Sequence, residues 1–274
     1  MDQQESYILT FILIVGVAAL VASYTVKNNN RMNPCIIIPV YNHEHAIGEV
    51  LAKLKPYAIP CLLINDGSSI VCLDVLESCA RRESAWVTLL SRSENGGKGA
   101  AVIDGFNAAK RLGYSHAIQI DADGQHNIDD IPRFVEVAKL NPNAMILGQP
   151  LFDESAPKIR TYGRRFTNLW IAINTLSFSI ADGMCGFRLY PLDAIDKLIS
   201  STSISQGMAY DIDIVVRLYW QGVDAINIIT AVHYPLDGVS HFKLWQDNVM
   251  ISKTHTKLFF GMLIRIPQLI FRRL

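Results

Sequence analysis

Asp121 and Asp123 stand one residue apart in "HAIQIDADGQHNIDD" (116–130), where a strand-like run from Ala117 to Ile120 stops. Carboxylates that close repel one another, and each resists leaving water. The pair therefore lies on a wet surface or holds a cation. Oxygen ligands at a strand end suit Mg²⁺ or Mn²⁺, and magnesium typically keeps several waters and bridges carboxylates to substrate phosphates. Gln125 follows directly. Asp129 and Asp130 read instead as first-turn acids that complement a helix dipole.

Other segments carry compatible chemistry. "NGGKGAA" (95–101) is glycine-rich and opens a helix, so its N–H groups favour an anion, with Lys98 adding positive charge. It lacks the GxxxxGK[ST] spacing of a P-loop. Asp66, in "LINDGSS", is placed to accept hydrogen bonds from a base or ribose, or to cap a turn. "ADGMCGFRLYP" (181–191) combines Asp182 with Arg188, a residue suited to bidentate phosphate recognition. In "AYDIDIVVR" (209–217), Asp211 and Asp213 each read equally as a general base or a helix-capping acid.

These residues need a frame, and the apolar pattern supplies one. Strand-type runs at 35–40, 61–66, 86–91 and 116–121 alternate with helical spacing at 44–54, 70–82, 98–113 and 128–141. Such alternation predicts an α/β fold with a mainly parallel, doubly wound sheet. Ligands in such sheets sit beyond the carboxyl ends of the strands. The polar clusters Tyr41–Asn42, 65–68, 91–99 and 121–125 fall there. Further on, 164–180 and 213–222 read as helices and 225–235 as a strand.

The 274-residue chain is half hydrophobic, enough for a sizeable core. Its 25 Lys and Arg balance 25 Asp and Glu, so no global field favours nucleic acid. The five cysteines contain no CxxC pair, which argues against a zinc site or a disulfide framework. Residues 7–26 carry no charge, and about 20 helical residues span a bilayer core. Lys27 and Arg31 follow that run, which predicts a single N-terminal anchor with the next domain on the cytoplasmic face of the membrane. Alternatively Met32 is the true start, residues 1–31 are not native, and the protein is peripheral. Residues 246–274 mix Phe, Leu and Ile with Lys and Arg. They read as an amphipathic segment that lies on an anionic membrane surface or packs on the domain.

"IIIPVYN", "NDGSS", "NGGKGAAVIDGFNAA", "IQIDADGQH" and "DGMCGFRLYP" occur in the order that resembles family 2 glycosyltransferases of the GT-A fold. The resemblance is greatest to the dolichyl- and polyprenyl-phosphate sugar transferases and covers about residues 34–245, within a domain of 32–245. It implies a nucleotide-diphosphosugar donor (a UDP- or GDP-sugar), a lipid or lipid-phosphate acceptor, and Mg²⁺ or Mn²⁺ at Asp121, Asp123 and Gln125. Pro39, Tyr41, Asn42, Glu44, Asp66, Lys98, Asp121, His241 and Lys243 would bind the donor, with Ser240 beside His241. Asp182, Arg188 and Arg165 would face the acceptor, and Asp123, Asp211 and Asp213 would serve catalysis. Asn65 stands where the family usually has an acid. His43, followed by Glu44, stands where the lipid-phosphate branch often has Glu. The implied reaction is an inverting hexosyl transfer to a polyprenyl phosphate-like acceptor. A hydroxyl of another lipid, pigment or glycan is the alternative acceptor, and nucleotidyl transfer or a non-catalytic binding module ranks below both. On this reading, the two acids remain an uncomfortable pair until a metal arrives.

Overall fold

The computed structural model describes residues 32–152, 158–232 and 244–272. The expected N-terminal anchor, and Ser240, His241 and Lys243, lie outside the described residues. From Pro34 the chain alternates β1 (Pro34–Val40), α1 (Ile47–Leu54), β2 (Cys61–Asn65), α2 (Ile70–Arg82), β3 (Val87–Ser91), α3 (Lys98–Arg111) and β4 (His116–Gln119). Then follow α4 (Ile131–Leu140), β5 (Met145–Phe152), α5 (Lys158–Thr175), β6 (Arg188–Pro191), α6 (Leu192–Ser201), α7 (Tyr210–Trp220), β7 (Ala225–Val232) and α8 (Leu244–Phe271).

The strands form one sheet in the order β3-β2-β1-β4-β6-β5-β7. Every neighbouring pair is parallel except those made by β6, which runs against both β4 and β5. The central strands are buried along their length: Ile36, Ile37 and Ile38 on β1, and all of β2. That burial explains their unbroken apolar runs, since a strand covered on both faces cannot alternate.

Register decides what reaches the carboxyl edge. Val40, Asn65 and Ser91 are level across β1, β2 and β3. β4 extends the same edge through Ile120, whose N–H donates to Ile37 O at 3.1 Å. Because β6 is antiparallel, its first residue, Arg188, lies opposite Gln119 at the last position of β4. One edge therefore gathers the loops after β1, β2 and β4 and the segment before β6.

The strands β5 and β6 escape sequence patterning. β5 contains Gly148 and Pro150, and β6 is four residues from Arg188 to Pro191. β6 pairs with β5 only at Ile146 and Leu147, so Pro150 lies where β7 is its one strand neighbour. A strand tolerates proline in such an edge-like stretch.

The C-terminal segment is one helix that begins earlier than expected and packs on the domain. Ile251, Leu258, Met262 and Leu269 are buried. Trp170 of α5 meets Phe259 edge-on at 6.2 Å, and Arg265 lies over the Trp220 ring at 4.6 Å. Among the described residues, no helix is long and apolar enough to cross a membrane.

Candidate active site

The glycine-rich loop already holds an anion, and that anion is internal. Gly96 N–H and Gly97 N–H donate to the two oxygens of Asp66, both at 2.9 Å. Arg92 Nε lies 2.9 Å from Asp66 Oδ1. These N–H groups, expected to meet a ligand anion, are thus spent on the end of β2. Asn42, at φ 52°, ties the neighbouring loops: its Oδ1 accepts from Ser69 N–H at 2.8 Å, and its own N–H donates to Ser68 Oγ at 3.2 Å. Pro39 is half-buried on β1, Tyr41 and Glu44 are half-buried in the loop after it, and one Glu44 oxygen is enclosed without a hydrogen-bond partner among the described residues.

Lys98 opens α3 directly after this loop and reaches across the edge. Its ammonium lies 2.8 Å from Asp121 Oδ1 and 2.8 Å from Asp211 Oδ2. Burial alone would lower the Lys98 pKa, but the two carboxylates outweigh it and hold the ammonium above the ordinary lysine range. Asp121 Oδ2 lies 3.4 Å from His126 Nε2. Burial would raise the Asp121 carboxyl, yet Lys98 and His126 prevail and hold it well below the carboxylate range. The reverse pull pushes the buried His126 up to about 10, with Cys185 contributing beside Asp121. The expectation of an uncompensated acid pair is therefore corrected: Asp121 has a cation on each oxygen, and both come from the protein.

Asp211 is enclosed in a wider buried network. Gln119 Nε2 donates to its Oδ1 at 3.2 Å, and Tyr210 OH donates to Gln119 Oε1 at 3.1 Å. Arg188 Nη1 donates to Asp211 O at 2.8 Å and to Tyr190 OH at 3.0 Å. Arg188 is 0% exposed, so it faces no surface, and its Nε and Nη2 have no hydrogen-bond partner among the described residues. That placement corrects the expectation of an acceptor-facing guanidinium in this conformation. Asp213 is also 0% exposed. Ser205 N–H and Ser205 Oγ–H donate to its Oδ2 at 2.8 and 2.9 Å, and Arg217 Nε pairs with Oδ1. Asp182 is likewise consumed, by Arg164, by Asn168, and by the N–H groups of Met184 and Cys185. It holds the turn before β6 to α5. Arg165 is exposed on α5.

Similarity to known proteins fits this geometry. The glycosyl transferase family 2 model matches residues 35–199. The chain belongs to that family. The transferase is 25% identical to a polyprenol monophosphomannose synthase of Mycolicibacterium smegmatis, over 70% of this chain and 74% of the relative. It is 27% identical to an undecaprenyl-phosphate 4-deoxy-4-formamido-L-arabinose transferase of Pseudomonas fluorescens, over 62% of this chain but 50% of that longer protein. Among solved structures, glucosyl-3-phosphoglycerate synthase of Mycobacterium tuberculosis, crystallised with Mn²⁺, UDP-glucose and phosphoglyceric acid, superposes with a TM-score of 0.62 at 13% identity. That match covers 84% of this chain and 80% of the synthase. Mannosyl-3-phosphoglycerate synthase of Rubrobacter xylanophilus gives 0.60 at 13% identity, over 88% and 78%. At such identities the likeness is one of fold.

The candidate donor set, Asp121, Asp123 and Gln125, has the chemistry that a hard divalent ion takes. Asp123 lies half-buried in the turn after β4 and spends Oδ1 on Gln125 N–H at 3.0 Å. Among the described residues, no group of three His, Cys, Asp or Glu side chains converges to hold an ion unaided. Two carboxylates and one amide oxygen, completed by water and phosphate, suit Mg²⁺ or Mn²⁺ far better than zinc. Sequence reading missed His126, which stood in plain sight within the DADGQH stretch. It also missed Gln119, whose amide lies inside an apolar strand run.

Proposed function

We propose that this glycosyltransferase moves a sugar, with inversion, from a nucleotide-diphosphosugar to a polyprenyl-phosphate acceptor at a membrane surface. The observation that carries the acceptor class is the state of the two candidate bases. Both oxygens of Asp211 and both of Asp213 are engaged, so neither is poised to take a proton. A hydroxyl acceptor needs such a base. A phosphate monoester is already ionised and attacks without one. The relatives named for polyprenol and undecaprenyl phosphate support the same reading.

In this scheme Asp121, Asp123 and Gln125 hold Mg²⁺ or Mn²⁺. The ion would neutralise charge on the departing nucleoside diphosphate. Asp66 and the loops of Pro39, Tyr41, Asn42 and Glu44 frame the nucleotide end, and His241 and Lys243 are assigned to the diphosphate. Lys98 keeps Asp121 ionised and pairs with Asp211 at the reacting edge. The lipid arrives along α5 and α8, whose outer faces carry Phe166, Phe260 and Ile264 as exposed apolar side chains. Protein on the cytoplasmic face of the membrane follows, since nucleotide sugars are supplied there.

The test is a panel of UDP- and GDP-sugars incubated with the enzyme and a polyprenyl phosphate, with the product identified by mass. A glycosyl-phosphoryl-polyprenol product is expected. Transfer only to a hydroxyl-bearing acceptor, or nucleotide release without glycosyl transfer, would overturn the acceptor assignment.

A further inference from the structure

Gly186 has no conformational reason to be glycine. Its φ is outside the left-handed region that disfavours side chains. Its reason is space. A Cβ built there would lie 1.9 Å from Asp121 Oδ2, 2.3 Å from Asp121 Cγ and 2.5 Å from Asp121 Oδ1. The three nearest atoms all belong to one carboxylate, and real Cβ atoms do not approach so closely.

The backbone at 186 cannot retreat to make room. On its N-terminal side, Met184 N–H and Cys185 N–H are fixed to Asp182 Oδ1 at 2.9 and 2.7 Å. On its C-terminal side, the Phe187 ring stacks on Phe134 at 4.1 Å, and Phe187 O accepts from Gly148 N–H at 2.9 Å. Arg188 is fully buried one residue later. Side chains that do not clear such a wall move rather than the wall.

We infer that Gly186 is a positioning residue for the Asp121 carboxylate, leaving the space that carboxylate occupies while Lys98 and His126 meet its two oxygens. The assignment explains a glycine that neither a turn nor a ligand contact accounts for. It also explains the burial of Asp182, whose hydrogen bonds anchor the turn that presents Gly186. The consequence for metal binding rests on the reading of Asp121 as a metal ligand.

The test is a double-mutant cycle on the full chain, read by chemical denaturation without metal, together with Mn²⁺ titration by calorimetry. Gly186→Ala should destabilise the wild-type background and be close to neutral in an Asp121→Ala background, because the atoms it strikes are gone. It should also weaken Mn²⁺ binding tenfold or more. An equal stability loss in both backgrounds would show that the glycine serves the backbone, and would overturn the inference. So would wild-type Mn²⁺ affinity in a folded Gly186→Ala protein where Asp121→Ala loses that affinity. If Gly186→Ala alone does not fold, recovery of folding in the double variant still supports the clamp, and failure in both refutes it. Asp121→Ala by itself separates the two ideas: if it binds Mn²⁺ like wild type, the metal assignment fails while the stability cycle still decides the role of Gly186.

Discussion

At the scale of single residues, the candidate site is a set of opposed charges that the fold has already matched. Lys98 bridges Asp121 and Asp211, and His126 takes the second oxygen of Asp121. Replacing Lys98 by Met strips two largely buried carboxylates of their shared ammonium, which costs on the order of 3 kcal/mol of folding stability. Mn²⁺ should recover part of that loss, because an ion that binds only the folded protein stabilises it. The expected result in thermal denaturation is a larger Mn²⁺-induced rise for Lys98→Met than for wild type; an equal rise would mean that ion and ammonium do not share Asp121. The two acids of α7 separate by the same reasoning. Asp213 is held by Ser205 and Arg217 deep in the domain, so Asp213→Asn should cost about 2 kcal/mol of stability. Its turnover per folded molecule should stay near wild type. A catalytic base would instead lose about 10²–10⁴-fold in rate, and steady-state kinetics on refolding-competent protein distinguishes the two. Residue types and order made Asp121, Asp123, Lys98 and Asp211 legible in the sequence, because carboxylates and ammonium groups at strand ends are chemically conspicuous. Gly186 was not legible. Its role is a distance to another side chain, and no pattern along the chain encodes that.

At the scale of elements, the strands with continuous apolar runs were readable, and those whose burial is interrupted were not. β1 and β2 declare themselves through Ile36–Ile38 and Leu62–Ile64, while β5 hides behind Gly148 and Pro150. Arg188 was misplaced for the same reason: expected to face the acceptor, it opens a strand that pairs with Gln119 and Leu147 on either side. α8 was readable as amphipathic, but its docking partners were not. They include Trp220, whose ring a Cβ on Gly261 would approach to 2.7 Å. They also include Asn174, whose Nδ2 lies 3.2 Å from His255 Nδ1. Burial pushes the His255 imidazole down to about 4, against an ordinary value near 6.5. The unfolded chain therefore takes up a proton as pH falls through 6.5, while the folded chain refuses it until about pH 4. Stability contributed by the neutral ring is complete above about pH 7 and is lost on acidification through that window, by up to about 3 kcal/mol. Urea denaturation at pH 7.5 and pH 4.5 should show a steeper loss for wild type than for His255→Gln. Parallel losses would mean that the α5–α8 interface does not exclude the proton.

At the scale of the whole molecule, the packed face of α8 is only half of that helix. Its other face leaves Phe260, Leu263, Ile264, Ile270 and Phe271 exposed, with Ile264 at 81% and Phe271 at 74%. α5 adds Tyr162, Phe166 and Leu169. The surfaces join through a chain of rings: Phe166 meets Trp170 at 6.4 Å, Trp170 meets Phe259 at 6.2 Å, and Phe259 meets Phe260 at 5.9 Å. An apolar surface of that extent is unusual for a protein that meets only water. Its charges are of one sign. Lys253 and Lys257 are exposed on α8 and Arg165 on α5, whereas Asp247, the one acid of α8, is nearly buried. Apolar side chains beside exposed cations are the composition of a helix that lies in the headgroup layer of an anionic bilayer. The position also serves the proposed chemistry. α8 reaches the reacting edge through Thr254, whose Oγ1 lies 3.2 Å from Ser205 Oγ, and the adjoining Gln206 O accepts from Ala100 N–H at 3.2 Å beside the glycine loop. A lipid carried on the helix surface is thus one loop away from Lys98. The purified protein should co-sediment with phosphatidylglycerol vesicles and bind neutral phosphatidylcholine vesicles at least tenfold more weakly. Each cation near the surface contributes roughly 1 kcal/mol with anionic lipid, so Lys253→Glu with Lys257→Glu should lose most of the preference, and added salt should weaken the wild-type interaction. Phe260→Ser with Ile264→Ser should weaken binding to both vesicle types while leaving soluble nucleotide-sugar binding intact. Equal binding of wild type and the lysine variant to anionic vesicles would remove the bilayer from this face.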